Sequence, residues 1–541
     1  MLDHSSRKPT TSGLTQKPKT DAVKVCSQSE ISRRSALLTL GAAGATLASA
    51  RPSVAAEPTA AAAKPERDAM VGVQMAPFNL LHEGIEHCLD LLQTNAEVNT
   101  LICYTHTYYG GSTDKPTRVL APDHGVSVDD YFDRKMPDVW VKHRESYFKD
   151  SRLKHEPVQP DWKFADRDVF QEVAEPARKR GMKVYARFFD PKASNGKKIK
   201  NFHDAVAVDV FGQPGGGPCW NNPHYRQFVR ATMQDMFDAY PLDGILWGVE
   251  LGGPLSELLY WGREPYCFCK YCEEYASSVN LDLKRARQGY AELTKFVRTF
   301  KQNAKPPIDG VMTTIFHFLQ KYPEILGWNY QFLMSAEHYR REINQAIHGS
   351  APNAHIGRHI DNQITGWDLL QRSAIPYSVM AEADDFLRPS LYSHILGPRV
   401  RWFYLERMKH GALQELTIDQ SLDLYYAMMG LDASRQPTAE ELDHTGMNPE
   451  DYVTRETQRC VVGAGDQADV IPAIGFDVPK WGGDTEWAEM STFRTPPEYV
   501  YRAVRAAYEG GADGVMAARE YDEMRLENLK AFGRAVRDSR Q

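Results

Sequence analysis

The chain has 541 residues, of which 42% are hydrophobic, 25% charged and 11% aromatic, and its formal charge is −7. That length exceeds a minimal domain, and an acidic balance disfavours nucleic acid as a partner. Composition of this kind suits a soluble enzyme that handles neutral ligands.

In chain order the first element is a leader. Ser32-Arg33-Arg34-Ser35 runs straight into the small apolar stretch 36–50, which is shorter than the roughly 20 residues a bilayer span needs. Paired arginines before such a stretch predict a twin-arginine export signal over residues 1–56, cleaved after Ala50 or Ala56, and a periplasmic or extracellular mature protein. A flexible lead-in is expected over 57–69 and a single domain over 70–541. No other stretch predicts an integral membrane segment. Removing 1–56 takes away eight Lys/Arg and three Asp/Glu and brings the charge to −12.

Beyond the lead-in, short β-rich runs alternate with amphipathic stretches, which predicts a parallel sheet with crossover helices. Eight strands are expected, at 71–75, 101–105, 183–189, 244–249, 355–358, 377–381, 470–475 and 514–517. Apolar residues every three or four positions predict helices over 167–180, 226–239 and 334–347. Eight strands with helices between them favour a (β/α)8 barrel over an open sheet. Nothing Gly-rich follows the first strand in the dinucleotide-binding spacing and no phosphate-loop pattern occurs, so nucleotide chemistry is disfavoured. Three insertions stand out, at 108–166, 273–353 and 430–469. The first two follow strands and so fall at the C-terminal rim, where barrels build active sites. The third fits a decoration or an oligomer contact equally well, and a homo-oligomer stays open.

The eight cysteines include a compact C-x-C-x-x-C, Cys267-Phe268-Cys269-Lys270-Tyr271-Cys272. Cys267 and Cys269 are too close in sequence for easy disulfide geometry, whereas thiolates converging on one tetrahedral ion need such a turn. Cys219, in the loop after the third strand, is the expected fourth ligand of a structural zinc site tying two rim loops together. One or two disulfides, or a reduced cluster, are the alternatives. Cys26, Cys88, Cys103 and Cys460 lack such spacing and read as leader or core.

Three segments carry a resemblance. The run Cys219-Trp220-Asn221-Asn222-Pro223-His224-Tyr225-Arg226, the strand Asp243-Gly244-Ile245-Leu246-Trp247-Gly248-Val249-Glu250 and the following CFCKYC together resemble the family-42 β-galactosidases and related glycoside hydrolases. That resemblance implies a barrel in which a lone cysteine joins a C-x-C-x-x-C around zinc, and in which Glu250 is the acid/base. About 60 residues match well and the rest only in outline. Residues 511–529, GADGVMAAREYDEMRLENL, are similar to the closing strand and helix of uncharacterised exported glycosidase-like barrels. Val249 departs from the family, which has Asn there as the partner of the sugar 2-hydroxyl.

Glycoside hydrolysis needs a proton donor and a second carboxylate. Glu250 is the expected donor, with Trp247 beside it as a stacking platform and an apolar neighbour that raises a carboxyl pKa. Asp477, ending the seventh strand, is the expected partner, on the strand where the resemblance implies a nucleophile. Asp361, Glu382 and Glu520 compete, each just past an expected strand end. His106, Arg187, Asp190, His359, Asp361, Glu382, Arg519 and Glu520 are polar rim positions suited to sugar hydroxyls, and Tyr108, Tyr109, Trp220 and Asn221 are further candidates to line the cleft. The expected function is hydrolysis of an oligosaccharide or polysaccharide. Two alternatives stand beside it: a metal-dependent sugar isomerase, epimerase or lyase with His106, Asp190, Glu250, His359 and Asp361 on one ion, and a non-catalytic carbohydrate-binding barrel.

Overall fold

The structure is a computed structural model. It describes residues 69–106, 123–125, 139–156, 162–190, 199–248, 250, 252–300, 305–479 and 492–541. The predicted leader, nearly all of the lead-in, most of the first insertion, Tyr108, Tyr109 and Val249 lie outside the described residues.

Eight parallel staves form the sheet: β1 (Val71–Met75), β2 (Thr100–Tyr104), β3 (Lys183–Phe189), β4 (Gly244–Gly248), β5 (His355–Ile360), β6 (Phe386–Leu391), β7 (in two pieces, Asp469–Val470 and Ala473–Gly475) and β8 (Val515–Ala518). Each pairs in parallel with the next. The last returns to the first through Val71↔Val515, Gly72↔Met516 and Val73↔Ala517. Closure leaves no open sheet edge, so the (β/α)8 expectation holds.

A repeated device sets the register at the lower end. Asn99, Asp243, Asp385 and Asp513 each lie just ahead of an even-numbered stave. Their side-chain oxygens accept from the backbone N–H of Val71, Val184, Ile356 and Val470 at 2.9, 2.8, 2.8 and 2.8 Å. Their own N–H groups donate back to the carbonyls of those same four residues. Each odd stave thereby has backbone groups at its lower end satisfied by the Asx that launches its neighbour.

One strand expectation fails. Residues Tyr377–Ala381 form a short helix, and the sixth stave is Phe386–Leu391. Pro376 fixes the extended entry to that helical turn, and its side chains bury against Cys460 and Ala464 of a neighbouring helix. A short apolar run does not by itself distinguish the two.

Outside the barrel run α1 (Ile85–Ala96), α2 (Val169–Lys179), α3 (Pro223–Ala239), α4 (Glu324–Ser350), α5 (Pro449–Ala464), α6 (Pro497–Glu509) and α7 (Leu526–Ser539). α3 and α5 each start with proline at the first turn behind an asparagine N-cap whose side chain accepts a helix N–H, the chemistry a helix start calls for. Among the described residues no helix is long and apolar enough to cross a membrane.

The hydrophobic residues divide into layers. Met70, Ile102, Tyr185, Leu246, Phe386, Ile471 and Met516 fill the barrel interior. Gly357 makes room for one of them, because a Cβ there would meet the Phe386 ring at 1.9 Å. A larger layer fills the space between barrel and helices. Within it a buried ionic network ties α4 to β5: Arg358 donates to Glu337 at 2.6 and 2.7 Å and to Asp384 at 2.7 Å, and Arg340 donates to the same Asp384.

Candidate active site

Strand parity builds the site. Gly72, Ile102, Tyr185, Leu246 and Phe386 point inward, so two residues further along each stave the chain again faces inward. On β1, β2, β3 and β6 the residues at that step are Gln74, Tyr104, Arg187 and Arg388. All four are buried. The apolar floor is thus capped, toward the C-terminal mouth, by a polar layer.

Glu520, just past β8, closes one side of this layer. Its Oε1 accepts from the Tyr104 hydroxyl at 2.8 Å and from Gln74 Nε2 at 3.4 Å. Gln74 in turn accepts from Arg187 Nε at 3.3 Å. Glu520 Oε2 is buried with no hydrogen-bond partner. Burial, then the nearby Glu523 and Asp522, push the carboxyl up to about 8, against the opposing pull of Arg519 and the Tyr104 hydrogen bond. A group in that state carries its proton at neutral pH.

Glu250 lies past β4, with its side chain 19% exposed. Its Oε1 sits 3.0 Å from His359 Nε2, while His359 Nδ1 sits 2.9 Å from Arg388 Nη1. A guanidinium only donates, so His359 Nδ1 is the acceptor and Nε2 carries the hydrogen given to Glu250. Burial, with Arg187 and Arg388 nearby, pushes His359 down to about 3 and keeps the ring neutral. Glu250 therefore stands as an acceptor and Glu520 as a proton holder.

The other sequence candidates divide. Arg187 and His359 are in the mouth as expected. Asp477 is fully buried, accepting from Thr495 N, from both Nε and Nη2 of Arg525 and from Asn528 Nδ2. Both of its oxygens are committed to holding the segment after β8, so the structure gives it a packing role. Glu382 follows the short helix and precedes β6, at the opposite end of the staves from the mouth, where it pairs with Arg341 at 2.8 Å and is 56% exposed. Its expected place rested on the misplaced sixth strand. Asp361 caps the helix Asn362–Gly366.

Trp247 faces outward, its indole N–H donating to Asn344 at 2.9 Å and its ring 4.2 Å below the Arg340 guanidinium. It packs against α4 and offers no platform to a sugar. Trp220 is buried against Phe332, and Asn221 donates to Cys272 Sγ at 3.4 Å. Asn221 thus serves the cysteine loop, and Trp220 packs on α4. Asp190 is buried between the hydroxyls of Tyr225 and Tyr339 on α3 and α4, and burial pushes it up to about 6.

His106 belongs to a separate cluster with His143 and His155, their nitrogens within 4.8 Å of one another. The rings of His143 and His155 are parallel, 4.2 Å apart, so their lone pairs do not converge on one ion. Burial pushes all three imidazoles down. Glu250, His359 and Asp361 also group within 4.8 Å, but both nitrogens of His359 are already used by Arg388 and Glu250. The five residues of the metal-dependent alternative are therefore not brought together on one ion.

Sequence reading missed Gln74, Tyr104, Arg388, Tyr392 and Arg399. Tyr392 accepts from Arg388 Nη2 at 2.8 Å, and Arg399 donates to Asn362 Oδ1 at 2.6 Å. A correct sixth strand would have exposed Arg388 and Tyr392, because Phe386, Arg388 and Tyr392 share the inward parity.

Cys219, Cys267, Cys269 and Cys272 come together with their sulfurs within 4.8 Å of one another, and all four are free thiols. Cys219 Sγ lies 3.5 Å from Cys269 Sγ and 3.6 Å from Cys272 Sγ. A disulfide needs about 2.05 Å, whereas four sulfurs at about 2.3 Å from one zinc lie about 3.8 Å apart. The backbone N–H of Val208 donates to Cys267 Sγ at 3.2 Å, support of the kind a thiolate ligand receives. The donor set fits a four-thiolate zinc ion.

No family model and no curated protein matches the chain. Among solved structures it is similar to α-L-fucosidase isoenzyme 2 of Paenibacillus thiaminolyticus, at 11% identity and a TM-score of 0.42, with 87% of this chain and 49% of that one covered. It is also similar to the PgaB (BpsB) glycoside hydrolase domain of Bordetella bronchiseptica, at 11% identity, a TM-score of 0.41 and coverage of 87% and 99%. A third is the β-galactosidase of the haloarchaeon Halorubrum lacusprofundi, at 10% identity, a TM-score of 0.45 and coverage of 87% and 58%. The chain thus spans about half the length of the fucosidase and under two thirds of that β-galactosidase.

Proposed function

We propose that this protein is a glycoside hydrolase in which Glu520 is the proton donor and Glu250 the second carboxylate. The observation that carries the reading is the division of labour between two carboxyl groups at one barrel mouth. Glu520 is pushed up to about 8 by burial and by Glu523 and Asp522. Glu250 receives the N–H of a neutral His359. Environments that set two carboxyl groups to opposite tasks mark the acid and its partner in sugar hydrolysis. Glu520 gives its proton to the leaving glycosidic oxygen, Glu250 faces the anomeric centre, and His359, backed by Arg388, fixes the direction of the Glu250 oxygens. The unpartnered Arg187 Nη2 and Arg388 Nε are donors for substrate oxygens, since buried donors call for partners.

This reading exchanges the sequence roles, moving the acid from Glu250 to Glu520 and removing Asp477 from the chemistry. The four cysteines hold a structural zinc ion that ties the loop after β3 to the loop after β4. Residues 1–56 act as a twin-arginine leader, so the mature protein works outside the cytoplasm. The resemblance of the 219–226, 243–250 and 267–272 segments supports a relation to the family-42 β-galactosidases.

The test is a screen of the purified protein against aryl glycosides and plant and algal oligosaccharides, with Glu520→Gln and Glu250→Gln beside it. Each variant should lose about 10²–10⁴-fold in kcat on any substrate turned over. Full activity in Glu520→Gln would remove the assignment of the acid. Activity in neither the parent nor the variants on the whole panel, with folding intact, would favour a carbohydrate-binding barrel.

A further inference from the structure

The described structure pairs its buried and half-buried arginines with acids at nearly every turn. Arg340 and Arg358 share Asp384, Arg372 meets Glu456, Arg519 meets Glu523, and Arg525 meets Asp477. Three arginines at the mouth break this habit. Arg187 donates to Gln74 Oε1 at 3.3 Å and to the carbonyls of Phe188 and Leu246 at 3.4 and 3.1 Å. Arg388 donates to His359, Ser390 and Tyr392 at 2.9, 2.6 and 2.8 Å. Arg399 donates to Asn362 at 2.6 Å. Every one of these acceptors is neutral.

Arg187 and Arg388 are 0% exposed, and Arg187 Nη2, Arg388 Nε and Arg399 Nε have no hydrogen-bond partner. A buried charge without a counter-charge is costly. Glu250 acts electrostatically on both Arg187 and Arg399, and Asp361 acts on Arg399, while Glu520, which holds its proton, adds nothing to offset them. Two carboxylates, Glu250 and Asp361, stand near three guanidinium groups, and among the described residues neither forms an ion pair with any of them, so these five groups carry an excess of positive charge in a protein whose overall charge is negative. Burial pushes Arg187 down to about 10 and lowers Arg399 as well, with Arg519 adding to the effect.

We infer that the substrate is an acidic sugar, whose carboxylate or sulfate group takes the place of the missing counter-charge among Arg187, Arg388 and Arg399. Guanidinium groups bind such oxygens through charge-assisted hydrogen bonds, stronger than those to hydroxyls. The selectivity rests on the mouth being the sugar site proposed above, but not on the hydrolytic step. It also reverses the expectation of a neutral ligand that overall composition suggests.

The experiment is calorimetric titration of the mature protein with D-galacturonate, D-glucuronate and D-galactose 6-sulfate, each against its neutral parent sugar. At least one acidic sugar should bind tenfold or more tightly than its parent, and the carboxylate and sulfate arms identify which anion the site takes. Arg388→Met and Arg399→Met should each abolish that preference. Equal binding of acidic and neutral sugars overturns the inference, as does an undiminished preference in both folded variants. Binding of an acidic sugar without turnover of its aryl glycoside upholds acidic selectivity and counts against hydrolysis. Turnover of neutral glycosides with no acidic preference does the reverse.

Discussion

Glu520→Gln tests the protonation state on which the proposed chemistry rests, without requiring a known substrate. The carboxyl moves from an ordinary 4.5 to about 8 on folding. A shift of that size corresponds to about 5 kcal/mol of preference for the neutral form. Its sign follows from linkage. Between pH 4.5 and 8 the native state binds a proton at Glu520 that the unfolded chain releases, so the stability this group contributes is fully present below 4.5 and is lost as pH rises through 8. Glutamine keeps the shape and an oxygen for the Tyr104 hydroxyl but does not titrate. The variant should therefore gain on the parent by about 1.4 kcal/mol per pH unit across this window, or about 3 kcal/mol between pH 5.5 and 7.5. Urea unfolding of both proteins at pH 5.5, 6.5 and 7.5 measures the difference. Glu523 and Asp522 titrate in both chains and largely cancel. A difference that stays flat with pH would mean that Glu520 is ionised in the folded protein, and the proton donor would have to be sought elsewhere.

Asp477→Ala should cost about 3–5 kcal/mol in urea unfolding, because it strands the Arg525 guanidinium that Asp477 binds through two nitrogens. Turnover per folded molecule should stay near the parent value, and a loss of two orders of magnitude with folding intact would return Asp477 to the chemistry. Cys272→Ser removes one of four sulfurs converging within 4.8 Å. Elemental analysis should find about one zinc per parent chain and almost none in the variant, with a lower thermal midpoint, and a metal-free parent would remove the zinc proposal.

The barrel was legible because its signals are local and repeated. Seven of the eight staves sit where alternating β-rich runs place them, and the exception is instructive. At 377–381 a short apolar run mimics a strand but forms a helix, and the Asp385-Phe386 step launches the real one. Asp243-Gly244 and Asp513-Gly514 mark the same position in staves that were found. Their shared role, an acid whose oxygen accepts from an N–H at the lower end of the preceding stave, becomes visible only once the sheet is assembled. The cysteine cluster was legible for a related reason, since three of its members lie within six residues and only Cys219 had to be found at a distance.

The pairing of carboxylates was not legible, because burial and parity decide it. Asp477 and Glu520 both follow C-terminal strand ends, and nothing in their neighbouring residues separates them. Asp477 meets Arg525, from the segment after β8, and is neutralised there. Glu520 turns inward onto Tyr104 and Gln74, from staves more than 400 residues earlier, and finds no cation to hold its second oxygen. Arg388 was hidden by the same error that misplaced Glu382: with the sixth stave at 386–391, the arginine lies two residues past an inward Phe386 and reaches Nδ1 of His359. One shift of strand position therefore decides whether His359 is a loose rim histidine or the fixed donor to Glu250. It decides equally whether Arg388 joins Arg187 among the buried cations of the mouth.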